Sequence, residues 1–348
     1  MFSNFIKTDI NILKQQIKLP HYFNMDKLSA IQAPIKQEFT AFKEYFRSQF
    51  SSEVPLLNSA LNSVSGSVGK MMRPMLLLLV AKSCGSVLPA THAAAASLEL
   101  LHTASLLHDD VVDESPMRRS RPSLNALYNN RIAILTGDYL FSLALNNAAK
   151  TKNLEIIEQL SQLGCALSSG EMMQLQAQKT GVYSEESYLN IIKGKTASLF
   201  ASCAYIGALS AGAAVQQAAE FRRFGELLGI CFQIKDDIFD YYEGDIGKPT
   251  GSDMREGKIT LPALYVLRTS KAPVVAVINE KLAAEKELDE KDIESLIELS
   301  KSEGGVQYAL DRIEYLRAEA LSMLPCAIPA DCRNALVAYL DYVISRNK

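Results

Sequence analysis

Two short runs in this sequence carry carboxylates at a spacing with chemical meaning. LLHDDVVDE places Asp109, Asp110 and Asp113 in an apolar stretch, and QIKDDIFDY places Asp236, Asp237 and Asp240 in another. Both runs have the pattern DDxxD. On a helix, residues i and i+4 share a face and i+1 lies about 100° round, so each run projects three carboxylates into a small volume from one turn. Like charges so close repel, mildly on an exposed helix and far more in an apolar cleft unless cations neutralise them. Magnesium is the natural neutraliser, a hard octahedral ion that takes one or two protein carboxylates and completes its shell with water and phosphate oxygens. Two facing clusters therefore predict a Mg²⁺–diphosphate clamp. A single DDxxD reads equally well as a solvated acidic helix face. Repetition speaks against that reading, since Leu, Val, Ile and Phe surround both runs where Lys and Glu would mark a surface.

A diphosphate carries more charge than metals alone can contact, so cations are expected in breaks near helix ends. Arg118 and Arg119 follow the first acidic helix, and Lys248 and Lys258 follow the second in GDIGKPTGSDMREGK. Lys195 and Thr196 open a helix in KGKTASLF, and Lys70 and Arg73 flank Met71 and Met72 in VGKMMRP. Taken singly, each reads as a solvated charge. Gly69 and Pro74 bracket the last pair as a turn entering a helix would, where backbone amides assist anion binding. His102 and His108 sit on the helix leading to the first cluster, and a core histidine is the plain reading of either. Only His102, two turns before the aspartates, is placed to donate to a second phosphate group.

The elements that must position these groups are helices. Apolar residues recur at helical spacing over 36–49, 71–82, 92–108, 131–149, 153–178 and 221–242, and no alternating strand run of useful length occurs. Punctuation falls between them, in NSVSGSVG, CGSVLP, MRRSRPS, EGDIGKPTGSD and SEGG. With 18 glycines and 12 prolines among 348 residues, turns are sparse. The reading is one all-α domain over residues 25–348, a helical bundle, preceded by a loose extension over residues 1–24. A content of 48% hydrophobic and 22% charged residues fills a large core and excludes wholesale disorder. The 36 basic and 39 acidic side chains nearly cancel to −3, so no global field recruits nucleic acid or an anionic membrane surface. Six cysteines without a CxxC pair point to thiols in a reducing, cytoplasmic setting. The uncharged run from Thr196 towards Glu220 is rich in Ala, Ser and Gly, which reads as a close-packed buried helix and not a membrane span. Residues 1–24 lack the apolar core and cleavage site of a secretory signal and the arginines of a transit peptide.

Together these residues resemble the trans-isoprenyl diphosphate synthases, and within them the long-chain polyprenyl branch. The resemblance runs from about Ile31 to Lys348 and rests on GKMMRP, ELLHTASLLHDDVVDESPMRR, GKTASLF and FQIKDDIFDYYEGDIGKPTGSDMREGKITLP. It implies an all-helical bundle around a deep central cavity, usually a homodimer. It implies that Asp109, Asp110, Asp113, Asp236, Asp237 and Asp240 hold Mg²⁺, three ions per site, on an allylic diphosphate. Arg118, Lys195, Lys248 and Lys258 are then counter-charges. Lys70, Arg73, His102 and Arg119 hold isopentenyl diphosphate, while Thr196 and Gln233 stabilise developing positive charge by dipole. Two departures stand out: VGKMMRP where the family has GGKRxRP, and RRSRPS where it has RRGxPT. Ala104 and Ser105, one turn before the first motif, fill the positions that limit product length in this family. Neither is bulky, which implies a long chain, with Leu98, Leu101, Leu160 or Leu163 as floor or as ordinary core.

Other readings fare worse or stay open. A metal phosphohydrolase of the HD type would combine His108 and Asp109 with His92, His102 and a distant Asp, and leaves the second DDxxD unexplained. A class I terpene cyclase would carry an Asn/Ser/Glu triad in place of Asp236 to Asp240. A short-chain farnesyl or geranylgeranyl synthase remains open, as does a non-catalytic helical subunit of a heteromeric synthase.

Overall fold

The computed structural model describes residues 22–66, 69–119, 121–242 and 250–346. Lys248, Val68 and Ser120, all singled out above, lie outside the described residues. The chain opens with α1 (Tyr22–Gln32), a 3₁₀ turn (Ala33–Ile35), α2 (Lys36–Arg47), α3 (Pro55–Ser65), α4 (Met72–Cys84) and α5 (Pro89–Val112). After a two-stranded hairpin, β1 (Met117–Arg118) and β2 (Arg121–Pro122), come α6 (Leu124–Leu127), α7 (Asn130–Lys150) and α8 (Leu154–Thr180). Then follow α9 (Glu185–Ile192), a π-helical turn (Lys193–Ala197), α10 (Ser198–Ser210) and α11 (Val215–Phe239). The chain closes with α12 (Ser252–Arg255), α13 (Leu261–Thr269), α14 (Pro273–Ala283), α15 (Glu290–Ser302), α16 (Gly305–Ser322) and α17 (Ala330–Ser345). The boundary expected at Met25 thus falls inside α1.

Local chemistry explains where these helices start. Pro occupies the first turn of α3, α5, α13 and α14, where its missing N–H is no loss. The side chains of Asn129 and Asn153 accept from the amides of Ile132 and Ile156 and cap α7 and α8. α4 and α10 are apolar on all faces because both run through the middle: Pro74 to Ala81 and Leu199 to Ser210 are buried without interruption. Fully burying one such Leu or Phe contributes about 1.5–3 kcal/mol. The aromatic stripe Phe39, Phe42, Phe46 and Phe50 stacks along α2 and its C-terminal extension, with centroids 5.1–6.5 Å apart.

Two expectations change. The uncharged run from Thr196 is not one helix, because Gly212 takes a left-handed φ of +84° and breaks it between α10 and α11. Nor do Lys195 and Thr196 open a helix: α9, the π-turn and α10 follow one another without a gap, and the pair lies inside that turn. Among the described residues no single helix is long and apolar enough to cross a membrane.

Candidate active site

The second acidic run ends α11. Asp237 is 4% exposed and both its oxygens are engaged: the Tyr188 hydroxyl donates at 2.6 Å and the Gln233 amide at 2.8 Å. Thr196 in turn donates to Gln233 at 2.7 Å, so Thr196, Gln233, Asp237 and Tyr188 form one chain of hydrogen bonds. Burial, reinforced by Asp253, holds the Asp237 carboxyl well above the usual carboxylate range. Asp240 is spent differently: its oxygens accept from the amides of Ser252 and Asp253, each at 3.0 Å, and tie the start of α12 to the end of α11. Asp236 receives Arg346, the residue just past α17, at 2.7 Å. Arg346 is braced by its guanidinium over the Phe232 ring at 3.8 Å. Burial still raises the Asp236 carboxyl despite that cation.

The first run ends α5. Asp110, turned about 100° from Asp109, is 2% exposed and accepts from Arg118 of the hairpin, the Nε bond being 2.8 Å. Asp110 and Arg118, expected to serve a metal and a diphosphate, here face each other across the helix end. Burial pushes Asp109 up to about 6, against the pull of Lys195 and with Glu171 and Asp113 adding to the rise. Asp113 caps α5 and is exposed.

What lies between the two runs is cationic. Lys195 pairs with Glu171 of α8 at 2.5 Å and donates to Gln174 at 3.3 Å. It acts on Asp109 of the first run while lining the same cavity as Gln233 and Asp237 of the second, a space of about 150 Å³. Lys258 lines that cavity too; burial alone would depress its ammonium, but Glu256 at 2.6 Å, with Asp113 and Asp253 behind it, raises it. The close seating of Lys195 needs glycine on both sides: a Cβ at Gly170 would meet the Lys195 amide nitrogen at 2.6 Å, and one at Gly194 would meet the Gly170 Cα at 3.1 Å. A π-turn at such a position is a recurrent mark of functional sites.

A second cationic group gathers where the start of α4 meets the hairpin. Arg73 of α4 lies over the Phe200 ring at 5.2 Å, and Lys70 donates to the Tyr342 hydroxyl at 2.9 Å. A Cβ at Gly69 would come within 2.8 Å of Arg119 Nη1, so the glycine lets the two basic segments touch. His102 is 8% exposed, and burial together with Arg73, Arg119 and Arg118 pushes its pKa well below the ordinary imidazole value. It is therefore neutral and offers one N–H. Ala104 is 1% exposed and Ser105 half-buried, with Leu98, Leu101, Leu160 and Leu163 packed in the core.

The donor set fits magnesium. Among the described residues Asp109 and Asp113 accept no hydrogen bond from a neighbouring helix, Asp236 keeps one oxygen beside its pair with Arg346, all three are hard ligands, and burial disfavours the charge on Asp109 and Asp236 despite Lys195 and Arg346. Among the described residues no three His, Cys, Asp or Glu side chains are grouped to hold one ion, so phosphate oxygens must complete the shell, as magnesium prefers. Among the described residues the histidines assemble no HD-type set. His108 turns to α7, 3.4 Å from Asp138, and His92 packs against Phe42 and Tyr45.

The raised carboxyls give a pH prediction. A group whose folded pKa exceeds its unfolded value stabilises the fold below the unfolded pKa, and that contribution is lost as pH rises through the folded pKa. In EDTA, the Tm should therefore fall by several degrees between about pH 5 and 8, with Asp109 and then Asp237 losing their protons. Mg²⁺ with inorganic pyrophosphate should close the gap, and Asp237→Asn should flatten it. Scanning fluorimetry checks both, and a flat wild-type profile in EDTA contradicts the assignment of buried, uncompensated charge.

Reasoning from sequence missed Glu171, Gln174, Tyr188 and Arg346. Glu171 and Gln174 left one signal, a Gly-Glu-x-x-Gln run inside an otherwise featureless helix. Arg346 left none.

The polyprenyl synthetase family profile matches residues 54–300. The chain is 36% identical over 319 residues to the all-trans-nonaprenyl-diphosphate synthase (geranyl-diphosphate specific) of Rhodobacter capsulatus, covering 91% of this chain and 97% of that protein. It is also similar to the crystal structure of a polyprenyl synthase from Caulobacter crescentus complexed with calcium and isoprenyl diphosphate, at 31% identity and TM-score 0.85, covering 92% and 98%. A geranylgeranyl pyrophosphate synthase from Bacteroides thetaiotaomicron matches at 44% identity and TM-score 0.79, covering 92% and 100%.

Proposed function

Because the chain belongs to the polyprenyl synthetase family, we propose that it is a trans-polyprenyl diphosphate synthase. It adds isopentenyl diphosphate head to tail onto an allylic diphosphate and yields a long-chain all-trans product, a precursor of quinone side chains. The observation that carries this reading is the pair of acidic helix ends with Lys195 and Lys258 between them, each acting on the first run while lining the cavity of the second.

Asp109, Asp113 and Asp236 would hold Mg²⁺, which when bound neutralises the charge that develops on departing pyrophosphate. Asp236 keeps Oδ2 for the ion while Arg346 holds its Oδ1. Lys195 and Lys258 add cations on the same side. Arg118 contributes by fixing Asp110 and with it the exit from α5. When the allylic C1–O bond breaks, its electron pair leaves with pyrophosphate. Thr196 then turns an oxygen lone pair toward the resulting cation, because its proton is committed to Gln233, which Asp237 and Tyr188 hold in place. Lys70, Arg73, Arg119 and neutral His102 hold the second diphosphate so that the alkene faces C1. The π pair forms the new C–C bond, and a proton leaves to pyrophosphate, so no dedicated protein base is needed.

The small side chains at Ala104 and Ser105 and the nonaprenyl synthase relative favour a long product. The geranylgeranyl synthase at 44% identity favours a shorter one. Incubating the purified chain with farnesyl diphosphate, isopentenyl diphosphate and Mg²⁺ decides by product chromatography. Elongation beyond geranylgeranyl length is expected; arrest there supports the shorter reading, and no elongation overturns the proposal. The exposed Ile134, Leu135, Phe141 and Leu145 of α7, with Met172 of α8, support a homodimer. Free thiols at all six cysteines support a reducing, cytoplasmic setting.

A further inference from the structure

Three side chains at the wall of the cavity close a ring. Glu171 Oε2 pairs with the Lys195 ammonium at 2.5 Å, the same ammonium donates to Gln174 Oε1 at 3.3 Å, and Gln174 Nε2 donates to Glu171 Oε1 at 3.0 Å. Glu171 and Gln174 stand three residues apart on α8 and so share a face. Both are half-buried while Met172, Met173, Leu175 and Gln176 around them are exposed, so the helix turns this polar pair inward. That inverts the usual pattern, in which apolar side chains turn in and polar ones out. α8 presses this close because Gly170 and Gly194 carry no side chains.

The ring divides the hydrogen bonds of Lys195. An ammonium has three N–H donors, and Glu171 and Gln174 take two of them, which leaves one to face the cavity that Lys195 lines. On its flexible stem alone, a lysine is a poorly aimed point charge. Glu171 is not itself a spare metal ligand, since each of its oxygens is engaged. We propose that Glu171 is a positioning residue that aims the third N–H of Lys195 at the diphosphate of the allylic substrate. This rests on the reading that Lys195 faces that diphosphate.

Charge alone and positioning predict opposite signs. Removing a carboxylate beside an anion site should tighten anion binding, whereas freeing Lys195 from its aim should weaken it. Glu171→Gln keeps the shape but cannot close the ring: whichever way the two amides turn, two donors face each other at one edge. The expected result is a KM for the allylic substrate raised about 10-fold or more, with the KM for isopentenyl diphosphate little changed. Glu171→Asp, which keeps the charge one methylene short, should fall between, and it carries the test if circular dichroism shows that the Gln variant does not fold. In a Lys195→Gln background the same change at Glu171 should move the allylic KM less than about 2-fold, because its effect runs through the ammonium. Losses that multiply in the double variant, or an unchanged or lower allylic KM in a folded Glu171 variant, overturn the proposal. If the wild-type chain itself does not elongate, the functional reading fails instead. Calorimetric titration of inorganic pyrophosphate with Mg²⁺ into wild type and variant then still decides on Glu171: weaker binding to the variant supports its role, and equal or tighter binding rejects it.

Discussion

Asp109→Asn lowers kcat/KM by about three orders of magnitude, equivalent to about 4 kcal/mol of transition-state stabilisation, without unfolding the protein. The size follows from position. Asp109 ends α5 beside Lys195, its oxygens are not committed to another helix, and burial leaves its charge to be compensated by something bound. Its neighbour is the control. Asp110→Asn removes the partner of Arg118 in a buried site, so its main effect is on stability, with a smaller loss of turnover. Steady-state kinetics and thermal unfolding of the two variants separate the roles, and equal kinetic losses at 109 and 110 contradict them.

Ser105→Phe shortens the product to about farnesyl or geranylgeranyl length. One turn before Asp109, Ser105 lies within about 40° of it on the helix face, while Ala104 has turned about 140° away. Ser105 is half-buried with its hydroxyl turned back to the His102 carbonyl at 2.9 Å, so an aromatic ring there projects on the side where the allylic tail must descend. Ala104→Phe shortens the product as well, but at a site 1% exposed the ring must displace packed neighbours, and the Tm falls with it. Chromatography of the dephosphorylated products reads both. Unchanged length in both variants would remove α5 from the wall of the tunnel.

Much of this site was legible because it is local. A DDxxD run in apolar surroundings reports helix, face and charge at once, and both runs do end long helices, α5 and α11. The helical bundle followed from periodicity for the same reason. What was not legible depends on partners far away in sequence. Lys195 looked like a helix start because Gly194 looks like a break, yet Gly194 is there so that α8 can approach the turn at Gly170. Glu171 sits among Met and Gln residues that resemble a solvated face, and only its pairing with Lys195 shows its purpose. Asp240 carries the same motif position as Asp113, but the amides of Ser252 and Asp253 claim it, a contact no spacing rule foresees. Arg346 reaches Asp236 across a separation of 110 residues.

The central claim is that carboxylates from two helix ends grip one diphosphate through divalent ions. The most direct test is anomalous scattering from crystals grown with Mn²⁺ and a non-reactive thio-analogue of the allylic diphosphate. Manganese peaks in direct coordination with Asp109 and with Asp236, both bridged by the same diphosphate, are the predicted result. Ions bound at one motif only, or a diphosphate seated away from both, would contradict it.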